Sequence, residues 1–310
     1  MSGARRVLVT GAGGYVGAAV SVHLREAGLE VVGYGHATNF DALRKRTNGS
    51  IELVEGDLGD AANLTGALAG VDAVVHAASF AGERACKRDM PGAIRSIVRG
   101  TRQVVDAVVA AKIPRLVHLS TYAVYATFRE RTMPLREDDE LTPDDLYGSL
   151  KAEAEWEASR VPAAILRLTN VFGRGSGIVL KTDVLGHFTR AVRSGAPLRM
   201  NAGGRQRIEF VHVDDVCRLV ADLLAAPPPD RALVLNVGAG HATAICELAE
   251  IFRETARDAL GREVEVVSDD SSGDVWPDRW VSIERVRARF PWYPSKSLED
   301  GVRELLTAPE

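Results

Sequence analysis

Val7-Leu8-Val9-Thr10-Gly11-Ala12-Gly13-Gly14-Tyr15-Val16-Gly17 carries an apolar strand straight into glycines spaced three apart. Such a stretch reads as strand, tight turn and helix, the form of a dinucleotide-binding turn. Gly11 allows the turn, Gly14 lets the backbone approach a pyrophosphate, and Gly17 lets the helix pack closely on its strand. The helix N-terminus then points free N–H groups and a positive dipole end at the phosphates. Gly-rich turns also serve as plain strand-to-helix connections, so the choice between the two rests on the remaining chain.

Outward from this turn, short β-branched runs alternate with helical patterns. Arg6–Thr10, Glu30–Tyr34, Ile51–Glu55, Ala73–His76, Leu116–Ser120 and Ala164–Leu168 predict strands with helices between them, the βαβ signature of a parallel sheet. Continuous apolar runs such as Val7-Leu8-Val9 and Ala73-Val74-Val75 suit strands covered on both faces. The predicted fold is an α/β, Rossmann-type doubly wound parallel sheet. After about residue 173 the alternation becomes irregular, and Pro227-Pro228-Pro229 ends a predicted helix over Asp214–Ala226. Residues 1–172 are expected to form the dinucleotide-binding domain, with 207–238 returning to it through strands at Phe210–Val213 and Leu233–Val237. Residues 173–206 and 239–310 are expected to form a smaller C-terminal substrate-binding cap.

The 310-residue chain is 46% hydrophobic and carries a formal charge of -4 from interspersed acids and bases. It can bury a full core, and no basic stripe points to nucleic acid. No apolar run reaches membrane-spanning length, so the expected partner is a small molecule. The start Met1-Ser2-Gly3-Ala4-Arg5-Arg6 runs at once into a strand rather than into the apolar core of a signal peptide, which predicts a cytoplasmic protein. Cys86, Cys217 and Cys246 are odd in number and far apart, which argues against disulfides or a zinc site and for small buried side chains.

Tyr147-Gly148-Ser149-Leu150-Lys151 sets a phenol and an ammonium four residues apart in a segment rich in Ala and Glu, on one face of a predicted helix. A free phenol, with a pKa of about 10, is a poor base at neutral pH unless a nearby cation favours phenolate. Upstream, Leu116-Val117-His118-Leu119 ends in Ser120-Thr121, placing hydroxyls at the C-terminal sheet edge where open α/β folds bind ligands. Thr121, Tyr147 and Lys151 are therefore the candidate catalytic set, with Thr121 steadying a substrate oxygen beside Tyr147.

With these residues, the chain resembles the extended short-chain dehydrogenase/reductase superfamily, in its sugar epimerase, dehydratase and ketoreductase branch. The resemblance runs nearly end to end. Beyond Gly11–Gly17 and Tyr147–Lys151 it includes Gly56-Asp57-Leu58, Val75-His76-Ala77-Ala78, Leu119-Ser120-Thr121-Tyr122-Ala123-Val124-Tyr125 and Leu166-Arg167-Leu168-Thr169-Asn170-Val171-Phe172-Gly173. It continues through Phe210-Val211-His212-Val213-Asp214-Asp215 and Leu235-Asn236-Val237-Gly238. The resemblance implies that Gly11, Gly14, Tyr15, Val16 and Gly17 hold the cofactor, that Asp57 and Leu58 bracket its adenine, and that Ala77 and Ala78 line it. Lys151 would hold the nicotinamide ribose beside Tyr147, and Asn170 would lie near nicotinamide and substrate. In the implied reaction, hydride passes between nicotinamide and a sugar carbon while Tyr147 takes or gives the oxygen's proton, with no metal. The family's usual homodimer would use helices near Gly92–Ala111 and Asp144–Arg160.

Departures from the family pattern sharpen this reading. The second strand ends Val31-Val32-Gly33-Tyr34-Gly35-His36, without the acid that would bind an adenosine ribose and repel a 2′-phosphate. His36, with Arg44, Lys45 and Arg46 nearby in sequence, tilts the cofactor slightly towards NADP over NAD, although the same residues also read as a solvated face. Tyr122 and Ala123 stand where dehydratase relatives carry an Asp-Glu pair, so a 4,6-dehydratase would lack its acid and base. Ile208 and Ser271 stand where epimerase relatives carry diphosphate-binding arginines. Arg207, one residue off, is then either a substrate-binding residue or a surface one, since a one-residue slip turns a strand side chain to the opposite face. Ile97 replaces an Asn usual in relatives. His212, Asp214 and Asp215 read as structural, Asp214 as a helix N-cap. Trp292 reads as core and Trp276 as the best stacking residue. The predicted activity is a ketoreductase on a nucleotide-linked (deoxy)hexose. An epimerase using the same Thr-Tyr-Lys centre is the alternative, and a non-catalytic dinucleotide-binding regulator the more distant one.

Overall fold

The structure, a computed structural model, describes residues 4–80, 82–126, 128–174, 184–269 and 276–308. Seven parallel strands form the main sheet in the order β3-β2-β1-β4-β5-β6-β11. They are β1 (Arg6–Thr10), β2 (Glu30–Gly35), β3 (Glu52–Glu55), β4 (Ala73–His76), β5 (Leu116–Thr121), β6 (Ala163–Leu168) and β11 (Leu233–Val237). The doubly wound Rossmann architecture expected from the alternating runs is the one observed.

Alternation along the central strands explains the two layers of helices. Val7 and Val9 face one apolar core while Leu8 faces the other, and Val31 and Val32 divide in the same way, as the two-residue period of a strand requires. One face is covered by α1 (Tyr15–Glu26), α2 (Asp41–Thr47) and α9 (Val213–Ala225), the other by α3 (Ala61–Ala67) and α6 (Gly100–Ala110). Between β4 and β5 the chain runs through α4 (Gly82–Arg88), α5 (Met90–Ala93) and a π-helical stretch, Ile94–Arg99, that leads into α6. The stretch turns Ile97 into a small core with Cys86, Ala93 and Ala154. Its departure from the family Asn thus serves packing. Helix α7 (Leu146–Ala158) lies beyond β5.

The strand order reverses between β1 and β4, the switch point at which doubly wound sheets bind ligands. His76 fixes this junction: its Nδ1 meets the Thr10 hydroxyl at 2.7 Å and its Nε2 the Thr101 hydroxyl at 3.0 Å. Burial pushes its pKa down to about 3, so the ring is neutral.

Three small pairings build the remainder. β7 (Asn170–Phe172) runs parallel to β10 (Phe210–His212), β8 (Leu198–Asn201) parallel to β13 (Val266–Asp269), and β9 (Arg207–Ile208) antiparallel to β12 (Thr243–Ala244). Phe188, Leu198, Leu248, Phe252 and Val302 form a separate core among α8 (Val184–Ser194), α10 (Ile245–Leu260) and α12 (Leu298–Thr307). The segment expected to be cap does not stay in it: α11 (Glu284–Arg289) and the loop after it return Val286 and Trp292 to the core of the main sheet. Trp292 is buried there and donates its indole N–H to the Asp215 carbonyl at 2.8 Å. Cys86 and Cys217 are buried as expected, whereas Cys246 is only partly so.

Candidate active site

A cleft of ≈ 340 Å³ opens at the switch point, lined among others by Gly11, Gly13, Gly14, His36, Asp57, Leu58, Ala77 and Ala78. Its floor is backbone. Gly11 has φ +68 and lies so close to Ala77-Ala78 that a Cβ would stand 2.7 Å from the Ala78 Cα. Gly14 begins α1 with no side chain capping the helix, so the first-turn N–H groups are open to an anion. Gly17 does not line the cleft. A Cβ there would drive into the Gly11 carbonyl, so its role is to let the turn exist. Tyr15 and Val16 also lie outside the lining: Tyr15 donates its phenol to the Gly173 carbonyl at 2.7 Å and Val16 packs on the core.

At the end of the cleft that carries His36, Asp57 is held from two sides. Its carbonyl accepts the Tyr34 phenol at 2.9 Å, and its carboxylate accepts the Gly59 N–H at 2.7 Å. His36 Nε2 stands 3.9 Å from the same carboxylate, both side chains being exposed. Arg44 pairs with Asp41 at 3.3 Å and stacks over Phe40, and Lys45 and Arg46 are exposed on α2. None of the three lines the cleft, which follows the solvated-face reading; among the described residues, the basic side chains that line it are His36 and Arg95.

The second group of residues gathers at the C-terminal end of β5. The Tyr147 phenol faces the Thr121 hydroxyl, which lowers its pKa, and Thr121 accepts the Ala123 N–H at 3.2 Å. Asp145 caps α7 by accepting the Gly148 N–H at 2.5 Å, which fixes the turn that bears Tyr147. One turn on, the buried Lys151 donates from Nζ to the Leu119 carbonyl at 2.6 Å. Burial lowers its pKa to about 8, opposed by the Glu155 carboxylate. Tyr147 is shifted the other way: burial above all, then Cys86 and Asp145, holds its phenol above the usual 10.0. The ammonium therefore grips the strand end, and the phenol stays protonated.

Beneath this pair lies a buried network that the sequence reading missed. The Ser120 hydroxyl donates to Glu155 at 2.5 Å, and Arg167 donates to both Glu155 oxygens at 2.8–3.1 Å. Arg167 also donates to the Tyr125 phenol at 2.8 Å, which in turn donates to Asn236 Oδ1 at 2.8 Å. Each polar group has a partner, the condition under which a buried network orders its surroundings. The available signal was spacing: Tyr147, Lys151 and Glu155 stand four apart on one helical face.

Comparison with known proteins follows this geometry. A sequence model described as the NAD dependent epimerase/dehydratase family matches residues 7–238. The chain belongs to that family. The dTDP-6-deoxy-L-talose 4-dehydrogenase (NAD(P)(+)) of Kitasatospora kifunensis is 31% identical, covering 98% of this chain and 95% of the relative. The dTDP-L-rhamnose 4-epimerase of Burkholderia thailandensis is 26% identical, with 98% and 94% covered. Among solved structures, MoeE5 in complex with UDP-glucose and NAD superposes with a TM-score of 0.80 at 26% identity, covering 97% of each chain.

Within this epimerase/dehydratase fold, Asn170 reaches the catalytic region: its Nδ2 donates to the Tyr122 phenol at 3.2 Å and to the Glu209 carbonyl at 2.9 Å. Arg207 does not join it. Its guanidinium is bound by Glu247 at 3.2 Å and by the Ala242 carbonyl at 2.9 Å, because strand alternation turns it towards α10. Ser271 lies outside the described residues. Glu209, also missed, is fully buried; its carboxylate accepts backbone N–H groups including Gly240 at 2.5 Å and Val281 at 2.8 Å. Burial pushes its pKa up to about 8 against those hydrogen bonds.

His212, Asp214 and Glu304 bring ligand atoms within 4.8 Å of one another, yet each is engaged. His212 Nδ1 accepts the Asp214 N–H at 3.2 Å, so His212 rather than Asp214 is the N-cap of α9. Its Nε2 then donates to Glu304 at 3.1 Å, and Lys296 takes the other Glu304 oxygen at 3.1 Å. Asp215 accepts from Ser295 and Lys296 N–H groups and from Arg218, tying the C-terminal segment to α9.

Proposed function

We propose that this protein is an NAD(P)-dependent oxidoreductase that reduces a keto group on the ring of a nucleotide-linked hexose. The observation that carries the reading is that Thr121 at the end of β5, Tyr147 near the start of α7 and Lys151 one turn along the same helix are brought together, with Lys151 bound to the Leu119 carbonyl of β5. The glycine-floored cleft fits a dinucleotide, since Gly11 brings backbone against Ala77-Ala78 and the first turn of α1 is uncapped. A bound nicotinamide would supply or accept the hydride. Thr121 orients the substrate oxygen and Tyr147 delivers its proton, a step worth about two to four powers of ten in rate. Lys151, through Leu119, holds the strand end and the helix in register.

The 31% identity to a 4-dehydrogenase supports hydride chemistry at a sugar carbon, and the raised Tyr147 pKa keeps the phenol protonated. Tyr122 and Ala123, buried at the positions of a dehydratase's acid and base, leave that activity without its carboxylates. Relatives at 26% identity support the second reading, an epimerase that oxidises and re-reduces with the same residues. Gly35 at the end of β2 leaves room for either cofactor, while the Arg44–Arg46 charges stand away from the cleft. NAD is the expected cofactor, with NADP accepted. Exposed Val109 on α6 and Trp156 on α7 favour a homodimer through these helices. Among the described residues no helix is long and apolar enough to cross a membrane.

Mass spectrometry of nucleotide released on denaturing freshly purified protein tests the reading. A reductase exchanges its cofactor, so substoichiometric nucleotide is expected, with turnover of nucleotide-linked keto-sugars. Near-stoichiometric NAD or NADH would transfer the assignment to the epimerase.

A further inference from the structure

We propose that the base of the main sheet carries a second binding site, in which Arg115 and Arg289 hold the carboxylate or phosphate group of a small organic anion. A cavity of ≈ 250 Å³ opens there, between the first residues of β5 and β11, the end of α9 and the end of α11. It shares no lining residue with the cofactor cleft. Leu116 enters it at the start of β5, whereas Thr121 ends that strand, and at about 3.3 Å per residue the two lie roughly 17 Å apart.

Arg115 is the group that asks for a ligand. Its carbonyl is committed to the sheet, accepting the Val74 N–H at 2.9 Å, while the residue lines the cavity. It is 9% exposed, yet its Nη2 reaches only the Ala226 carbonyl, at 3.4 Å, and its Nε–H is buried with no hydrogen-bond partner among the described residues. A guanidinium stays charged in a protein, so burying it with a donor unmade is costly, and an anion that takes the donor offsets that cost. Asp72 senses this charge, but its carboxylate accepts the Arg5 and Arg6 N–H groups, each at 3.0 Å, and makes no salt bridge to Arg115.

The remaining walls narrow the class of ligand. Arg289, the last residue of α11, is exposed and also lines the cavity, and its side chain makes no hydrogen bond or salt bridge among the described residues. Two guanidiniums with open donors match the oxygens of a carboxylate or a phosphate. Leu116, Leu223, Leu233 and Phe290 supply apolar surface beside them, which suits the body of an organic anion better than an inorganic ion.

Pro227-Pro228-Pro229 completes the lining. Ala226 leaves α9 in an extended conformation, with φ -71 and ψ 160, and each proline after it fixes its own φ and carries no N–H. The run therefore does not continue the helix across the cavity, and it offers no backbone donor that could replace an arginine. Drug-sized ligands occupy pockets of about 300 Å³ or more, so a cavity of ≈ 250 Å³ suits a single ring with its charged group.

Calorimetric titration of benzoate and phenyl phosphate into NADH-saturated protein tests the site, the cofactor keeping the probes out of the cleft at α1. The wild type should bind one or both, the tighter probe naming the charged group, and should bind inorganic phosphate more weakly. Arg115→Met should weaken binding about 10- to 100-fold, as expected for losing a charged hydrogen-bond donor, and Arg115→Lys should recover part of that loss. Arg289→Ala should cost about 2- to 5-fold, the effect of an exposed cation. NADH affinity should be unchanged in all three variants. Full probe affinity in Arg115→Met overturns the proposal, as does a wild type that binds neither probe or binds them only when NADH is absent. If Arg115→Met fails to fold, full affinity in Arg289→Ala, a change at an exposed position, overturns it.

Discussion

The glycine-floored cleft and the cap-side rim are built from different materials. In the cleft, the groups that meet an anion are backbone N–H donors at the start of α1, and their position follows from Gly11, Gly14 and Gly17. At the rim, Arg279 is brought to Ile208 from 71 residues downstream by a single bridge. A backbone site is bound to its spacing in the sequence, because only glycine meets the φ values and close approaches it needs. A side-chain site is bound only to a place in space, and a cation can reach that place from another strand. Ile208 thus has Arg279 as its bridge partner, a pairing that no local pattern in the sequence announces.

The largest effect expected of a single change lies where the two regions meet. Tyr147→Phe removes the proton donor and nothing else of size, so kcat should fall by about two to four powers of ten. Cofactor affinity should stay within about twofold, because the glycine floor does not involve the phenol. Steady-state kinetics with fluorescence titration of NADH would check both parts. Full activity in this variant would sink the assigned chemistry, while a parallel loss of NADH binding would show that the two regions are less separable than the geometry indicates.

A smaller effect sharpens the backbone half of the contrast. Gly17→Ala puts a methyl group into the Gly11 carbonyl and should cost about 1–3 kcal/mol through forced backbone shifts, with weaker NADH binding. Gly66, exposed within α3, has open space around it. Gly66→Ala should be neutral or stabilising by up to about 1 kcal/mol, since alanine restricts the unfolded chain and favours helix. Thermal melts of the two variants with and without NADH decide the matter; equal behaviour would mean that the turn accommodates a methyl group at residue 17.

These two halves were unequally legible. The runs at Arg6–Thr10, Ala73–His76 and Leu233–Val237 became strands with those bounds, because a continuous apolar run bounded by glycine or polar residues has few other folds open to it. Thr121 and Tyr147 could be paired for a similar reason, both standing at ends of elements whose direction the alternation dictates. Partners across the sequence carried no such signal. Arg207 is claimed by Glu247 40 residues on, and Tyr125 by Asn236 111 residues on; nothing local in either residue announces the pairing. His212 capped α9 in place of Asp214, since a chain one residue further along the turn had already begun to coil. The expected coupling of Lys151 to the phenol met a competing acceptor, the Leu119 carbonyl.

Glu209 joins the two regions and gives the smallest prediction. Its carbonyl holds Asn170 and its carboxylate holds Gly240 and Val281, yet it is fully buried with a pKa pushed up to about 8. In the unfolded chain the same group titrates near its ordinary 4.5. Between these values the folded state binds the extra proton, so stability from this group is fully present below pH 4.5 and declines as pH rises towards 8. Stability should therefore fall as pH rises across that window, burial driving the change and the backbone N–H donors opposing it. Glu209→Gln, which cannot ionise, should flatten that limb in urea melts run from pH 5 to 8. An unchanged slope would mean that the backbone donors hold the carboxylate ionised throughout, and the junction would then be a fixed anion cradle of the kind seen at the other end of the molecule.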